Sequence, residues 1–242
     1  MTASGEDDND QNVVVKPPVK IRSVGYTSSE GATGHANEDR FVQRGFANKK
    51  EIQSAIEALD TTFLAVSARD QDDSGACFNA VVLYWDKDSQ CHQRMGIHGS
   101  RSSSWHCDDD RTSTPVISLS EDHSVSNRAE KLRVLEAGAY IRNRRIAGIL
   151  EPFRSIGDLD MKGKKMQGWV IPTPEIRESE LAVARTTIVV ATDGVWSVLS
   201  NQRAMVVALQ EFADGGDAQT AAEAIADEAR AIGSSDDITV VV

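Results

Sequence analysis

The sequence predicts an α+β fold in which antiparallel strands form two sheets and helices pack outside them. Strand-like segments follow one another through the chain with turns between them, while the clearest helical segments are grouped late. The composition is typical of a globular protein, since 40% of the 242 residues are hydrophobic and 26% are charged. A chain of this length can bury a substantial core.

Strands and one helix are predicted in the first half of the chain. Ile52, Ala55, Ile56 and Leu59 share one face of a helix over 48–60, which is the helical period. β-branched and aromatic residues predict a strand at 62–68. Further strands are predicted at 19–29, at 77–86, at 91–99 and at 114–120.

The second half contains the stronger helix signals. Apolar residues at helical spacing predict a helix over 126–141, with Gly138 as its C-terminal cap. Ser200 is the predicted N-cap of a helix over 201–213, and an alanine-rich helix follows over 217–233. Strands are predicted at 186–193 and 236–242.

The charge and the cysteine content restrict the class of protein. A net charge of −11 disfavours nucleic acids and anionic membranes as partners. The count of 3 cysteines, odd and sparse, predicts reduced thiols and a cytoplasmic location, and neither a membrane span nor a signal peptide is predicted. Residues 1–12 are acidic and polar, which predicts a disordered tail before a single domain over 13–242.

Carboxylates occur at three predicted strand boundaries. Glu38 and Asp39 lie beside a strand start, Asp193 follows an apolar strand, and Asp236 and Asp237 precede the last strand. Oxygen ligands of this kind suit hard divalent cations, which also neutralise clustered negative charge. Each position by itself is typical of an ordinary turn.

The order of several motifs along the chain is more specific than any one of them. The series is NEDRF, SEDHSV, AEKLRVLEAGAYI, FRSIGD, PTPEI, VVATDGVWSVLSNQ and SSDDITVVV. In this order it resembles the PPM family, the metal-dependent type 2C serine/threonine protein phosphatases, over roughly residues 20–242.

The resemblance implies an antiparallel β-sandwich flanked by helices, with two Mn or Mg ions in a cleft at one end. It implies Glu38, Asp39, Asp193 and Asp236 as metal ligands. The implied substrate is a phosphoserine or phosphothreonine of a phosphoprotein. The implied attacking group is a metal-bound water, so no side-chain nucleophile is expected.

The family's metal-bridging motif, Asp-Gly-His-Gly-Gly, is not recognisable in this chain. When the predicted strand at 62–68 is aligned with the strand before that motif, Ala68 takes the place of the bridging Asp and Arg69 that of the next Gly. An Arg there would repel metal cations. The family's phosphate-gripping Arg position reads Gly34, and no other phosphate-binding residue is assigned.

Two positions that the family links to a third metal are also changed. The motif Gly-Asp-Ser-Arg reads His98-Gly99-Ser100-Arg101, and a second Asp after the Asp-Gly turn reads Ser197. In addition, the helical layer expected after the strand at 62–68 is shortened. This would expose an apolar sheet face as a partner interface. A segment lost through splicing or a gene-model error is the alternative explanation.

These departures favour a pseudophosphatase, a binding or scaffold protein that holds one metal ion or none. The alternative is an active, divergent Mn- or Mg-dependent phosphatase in which Asp70, Asp72 or Asp73 replaces the bridging Asp. A zinc module is a third hypothesis, although its spacing matches no standard zinc finger. Its ligands would be Cys91, His92, His98, His106 and Cys107.

Overall fold

A computed structural model describes residues 26–29, 49–86, 91–98, 103–108, 116–180 and 186–242 of the chain. The predicted tail at 1–12, the predicted metal ligands Glu38 and Asp39, Gly34, and the altered motif at 99–101 lie outside the described residues.

The described strands form antiparallel sheets. The larger sheet has the strand order β1 (Tyr26–Ser29), β12 (Ile238–Val241), β11 (Thr186–Ala191), β5 (Ser103–Asp108) and β6 (Ile117–Ser118). A second sheet has the order β10 (Glu175–Glu180), β4 (Cys91–His98) and β3 (Asn79–Asp86). Two short ladders pair β2 (Gly75–Ala76) with β9 (Ile156–Gly157), and β7 (Ile141–Arg142) with β8 (Arg145–Ile146).

Helices flank these sheets, so the predicted α+β class is confirmed. They are α1 (Lys49–Asp70), α2 (Arg128–Glu136), α3 (Asp193–Trp196), α4 (Asn201–Ala213) and α5 (Ala218–Ile232). Short 3-10 helices cover Leu159–Met161 and Lys164–Met166. None of the described helices is both long and apolar enough to cross a membrane.

The caps explain where the late helices begin and end. The predicted N-cap Ser200 accepts a hydrogen bond from the Arg203 N–H, and so begins α4. Asp217 and Thr220 form a capping box at the start of α5. Gly138, predicted as a cap, follows α2 with φ of +84°, a conformation that costs glycine little.

The main core lies between the larger sheet and the two late helices. The alanine-rich face of α5 is buried against β1 and β12, because alanine lets a helix approach a sheet closely. Val189, Ile238 and Val240 are almost completely buried on the sheet side. The same core includes Val195 and Leu199, which follow the Asp193-Gly194 turn. The turn is therefore anchored on both sides by packed side chains.

The predicted strand at 62–68 is wrong, because these residues belong to α1. The buried positions Ile52, Ile56 and Asp60 recur at helical spacing, and the helix continues through them to Asp70. Thr61 and Thr62 suggested a strand, but their hydroxyls donate to the carbonyls of the residues four positions earlier, at 2.9 and 2.8 Å. The β-branched residues are thereby accommodated in the helix.

The helical state of residues 62–68 bears on two expectations from the sequence. The alignment that placed Ala68 at the bridging position assumed a strand, so it no longer holds. The shortened helical layer was expected after a strand at 62–68, and these residues are themselves part of the helix α1. Ile52 and Ile56 pack on Phe78, Ala80 and Ile176, so α1 covers part of the second sheet that was expected to be exposed.

Candidate functional site

The Asp193-Gly194 turn stands at the end of β11. Asp193 is the first residue of the short helix α3, and Val189 and Ala191 before it are buried in the strand. The Trp196 indole N–H donates to the Ala191 carbonyl at 2.8 Å and closes the turn. Trp196 therefore anchors the turn to the strand, as expected of a large residue at the edge of the core.

The last strand brings the second carboxylate turn to the same place. Because β11 and β12 are antiparallel, with Ala191 opposite Val240, the end of β11 lies beside the start of β12. The Thr192 N–H donates to the Thr239 carbonyl at 3.1 Å, and the Thr239 N–H donates to the Thr192 hydroxyl at 3.0 Å. The turns that carry Asp193 and Asp236 are therefore joined at one sheet edge.

Gly194 brings the backbones of these two turns into direct contact. A Cβ added at Gly194 would lie 2.1 Å from the Asp237 carbonyl oxygen. The Ser234 hydroxyl also donates to the Gly194 carbonyl at 2.6 Å. Sequence reasoning did not identify Thr192 or Ser234 as part of this contact. In the sequence, the one feature that could have indicated these two residues is that each places a hydroxyl group beside an acidic turn.

The first strand ends at this edge as well. Ser29, the last residue of β1, lies opposite Ile238 at the start of β12. The chain leaves β1 there, nine residues before Glu38. The predicted acidic pair Glu38 and Asp39 lies outside the described residues.

The described carboxylates at this edge suit a hard cation in their chemistry but do not complete a site by themselves. Asp236 is exposed and its Oδ1 accepts the Asp237 N–H at 2.9 Å, while Asp237 is only 5% exposed. Both turns thus carry carboxylate oxygens, which are groups that hard cations prefer. Among the described residues, however, no three His, Cys, Asp or Glu side chains come together as a metal-binding group.

The acidic loop after α1 has local hydrogen-bond partners. Arg69 donates to both carboxylate oxygens of Asp70, at 2.6 and 2.8 Å, and this hydrogen bond lowers the pKa of Asp70. Asp72 accepts hydrogen bonds from the backbone and hydroxyl of Ser74. The repulsion of a metal by Arg69 no longer follows, because the alignment that placed Arg69 beside the metals assumed a strand.

The proposed zinc ligands are divided between sheets. Cys91, His92 and His98 belong to β4 in the second sheet, whereas His106 and Cys107 belong to β5 in the larger sheet. The strands β4 and β5 do not pair with each other. This arrangement does not support a zinc module.

A buried ion network holds the segment between α2 and β10. The Glu130 carboxylate, on α2, binds Arg154 through contacts of 2.5 and 3.1 Å and binds Arg133 at 3.2 and 3.3 Å. The two arginines also donate to the carbonyls of Gly168, Phe153 and Thr173 at 2.8 to 2.9 Å. Arg154 therefore stabilises the fold.

Asp158 has a structural role with a testable pH dependence. It adopts a left-handed conformation with φ of +54°, and its carboxyl group packs against Gly75. Burial raises the pKa of Asp158, against the opposing charge of Lys162. A raised folded-state pKa contributes stability at low pH that is lost as the pH rises through that pKa.

We therefore expect Asp158→Asn to stabilise the protein at pH 7 by less than about 1 kcal/mol. Asparagine tolerates the left-handed conformation and removes the buried charge. The gain should disappear at a pH below the ordinary pKa of aspartate, where the wild-type carboxyl is also neutral. Urea unfolding at both pH values measures this, and Asp160→Asn in the same segment is the control. A loss of stability at pH 7 would contradict it.

Sequence comparison identifies relatives for most of the chain. The family model for protein phosphatase 2C matches residues 107–238, which is more than half of the chain and includes both Asp193 and Asp236. "Probable protein phosphatase 2C 11" of Arabidopsis thaliana is 31% identical over 204 residues, covering 80% of this chain and 48% of that protein. "Probable protein phosphatase 2C 27" of Arabidopsis thaliana is 32% identical over 199 residues, with the same coverage. The chain thus spans about half the length of these curated relatives.

Solved structures support the same fold. A Caenorhabditis elegans sex determining protein superimposes with a TM-score of 0.71 at 15% identity, over 90% of this chain and 64% of that one. The catalytic domain of the phosphatase PstP, solved with 2 manganese ions, superimposes with a TM-score of 0.61 at 14% identity, over 90% of this chain and 96% of that one. The resemblance stated from the motifs is therefore confirmed, and the chain belongs to the protein phosphatase 2C family.

Proposed function

We propose that this protein phosphatase 2C domain has an incomplete metal centre and acts by binding a protein partner or phosphoprotein without hydrolysing it. The observation that most supports this is the helical state of residues 61–68. The only segment that sequence reasoning could align with the bridging motif is not a strand, and the sequence contains no Asp-Gly-His-Gly-Gly. We infer that the bridging carboxylate is lacking.

Part of the metal centre would still be held by this chain. We propose Asp193 and Asp236 as ligands from the two joined turns, and Glu38 and Asp39, which follow β1 in the sequence, as further ligands. The Thr192 hydroxyl and Gly194 keep the turns together and so orient the carboxylates. A bound Mn or Mg ion would supply positive charge that neutralises phosphoryl oxygens.

The number of bound metal ions best distinguishes the proposed binding protein from an active phosphatase. The PstP catalytic domain contains two manganese ions. A pair of ions that activates water needs ligands shared between them, and a missing bridge removes such a ligand. We therefore propose one weakly bound ion or none for this chain. The alternative, an active phosphatase, requires Asp70, Asp72 or Asp73 to replace the bridge.

We expect calorimetric titration of the wild-type protein with Mn²⁺ to show at most one weak site per chain. Asp193→Asn should abolish any such binding, because it removes a charged ligand with little change of shape. Asp227→Asn is the control, since Asp227 is an exposed residue of α5 that pairs with Arg230. Circular dichroism should show that both variants are folded.

Turnover is measured on the same three proteins with p-nitrophenyl phosphate and with a phosphothreonine peptide. The proposal predicts no activity in the wild type above that of Asp193→Asn, together with calorimetrically detectable binding of the peptide or of a protein partner. Two Mn²⁺ ions per chain, with turnover that Asp193→Asn abolishes and Asp227→Asn retains, would contradict the proposal and establish the active alternative.

A further inference from the structure

One flank of α1 is apolar and exposed. Leu59 is 52% exposed, Val66 is 41% exposed and Phe63 is 36% exposed. The buried face of the same helix, which includes Ile52 and Ile56, packs on the second sheet. The exposed residues therefore extend the packed face sideways, where a neighbouring helix of the same layer would lie.

The spacing on this flank is that of a helix–helix contact. Ala55, Leu59, Thr62 and Val66 are all exposed and are separated by intervals of four, three and four residues. This alternation places them in one line along a helix surface, as in coiled coils. We call these four residues the α1 seam. The helix has 22 residues, so it offers a contact surface about 33 Å long.

The α1 seam is complementary to the same seam on a second copy of the helix that runs in the opposite direction. In an antiparallel pair, Leu59 would lie opposite Thr62 of the second copy, and Ala55 opposite its Val66. A twofold axis relates such surfaces, and the contacts are then made twice. The small residues allow the two helices to approach closely, while the leucine and valine supply apolar area to be buried.

The charges on the same flank fit this antiparallel arrangement. The first turn of α1 carries Glu51 and the last turn carries Arg69. Residues 51 and 69 are 18 positions apart, which is five helical turns, so they lie on the same side of the helix. The Arg69 side chain is 73% exposed, although Asp70 holds it. In the reversed pair, Glu51 of each copy faces Arg69 of the other at both ends.

From this complementarity we propose that the α1 seam binds the α1 seam of a second copy of this chain, forming a symmetric antiparallel dimer. The proposal does not depend on the completeness of the metal centre. Sedimentation velocity over a range of protein concentrations should show a monomer–dimer equilibrium that weakens as salt is raised. Leu59→Glu should leave only monomer, while Leu132→Glu, at a similarly exposed leucine of α2, should not change the equilibrium.

A charge exchange tests the orientation. Glu51→Arg or Arg69→Glu alone should weaken the dimer roughly tenfold, because each places like charges together at both ends. The double variant should recover most of the affinity. Lys50→Glu is the control, because Lys50 is exposed in the same turn on the side of the helix away from Leu59. Circular dichroism checks that each variant is folded.

Three results would overturn the proposal. A wild-type chain that is monomeric at every concentration would show that the seam does not bind a second copy. A dimer that persists in folded Leu59→Glu would place the interface elsewhere. A double variant no stronger than the single variants would exclude the antiparallel pairing of Glu51 with Arg69.

Discussion

Replacing Glu130 with alanine is expected to lower the free energy of unfolding by about 3 to 5 kcal/mol. The Glu130 side chain is only 5% exposed, and it neutralises two arginines, of which Arg154 is 14% exposed. Removing the carboxylate leaves both guanidinium groups without their shared partner in a region poor in water. The substitution therefore leaves uncompensated buried charge as well as removing hydrogen bonds.

The network joins elements that are separate in sequence. Arg133 donates to the carbonyls of Phe153 and Gly168, and Arg154 donates to the carbonyl of Thr173. Val134, which follows Arg133 in α2, is completely buried in the same part of the molecule. Loss of Glu130 should therefore loosen the whole segment between α2 and β10.

Urea unfolding at pH 7 measures the effect. Glu136→Ala, at an exposed position of the same helix, is the matched control and should cost much less. Combining Glu130→Met with Arg154→Met should be less destabilising than Glu130→Met alone, because an apolar pair leaves fewer unpaired charges. A loss no greater than that of Glu136→Ala would contradict the assigned role of the network.

The same network predicts an acid dependence of stability. Burial raises the pKa of Glu130, but the hydrogen bonds and charges of Arg154 and Arg133 outweigh it, so the pKa lies below its usual value. A lowered folded-state pKa contributes stability at a pH above the unfolded-state pKa of about 4.3. This contribution is lost as the pH falls through the folded-state pKa. The difference between wild type and Glu130→Gln should therefore shrink on acidification.

Replacing Gly194 with alanine is expected to destabilise the protein by about 3 kcal/mol. The added methyl group would lie 2.1 Å from the Asp237 carbonyl oxygen and 3.0 Å from a side-chain carbon of Ile238. Ile238 begins β12 and Asp237 directly precedes it, so relief requires the two turns to separate. Because Asp193 and Asp236 lie on those turns, the same change should remove any Mn²⁺ binding.

Gly163→Ala is the control for this prediction. Gly163 has an ordinary negative φ of −61°, and a Cβ there meets no atom within 4 Å. Thermal unfolding should show a lower midpoint for Gly194→Ala and almost none of this change for Gly163→Ala. A Gly194→Ala variant as stable as the wild type would show that the turns are not in contact as described.

Local signals account for much of what the sequence could predict about the fold. The starts of α4 and α5 follow from the side chains of Ser200 and Asp217, which cap the backbone a few residues away. The strands β11 and β12 follow from short apolar runs bounded by acidic turns. The strand β5 was not predicted, because it begins with Ser103 and Ser104 and lacks a short apolar run.

For the candidate site, the sequence indicated which residues take part, and the structure was needed to show how they are arranged. The order of the acidic turns indicated the family, and Asp193 and Asp236 were named from it. Their spatial relation could not be read from local sequence, because it depends on the pairing of β11 with β12 and on the hydrogen bonds of Thr192 with Thr239. These residues are 47 positions apart in the chain.

By itself, then, the sequence determined the family, the α+β class and the identity of two carboxylates at the edge of the larger sheet. Only the tertiary structure decided that residues 62–68 are helical, because burial of Ile52, Ile56 and Asp60 on one side outweighs the strand preference of the threonines and the valine. It also decided that Gly194 touches the Asp237 backbone. Both outcomes depend on packing between distant segments, which local propensity does not encode.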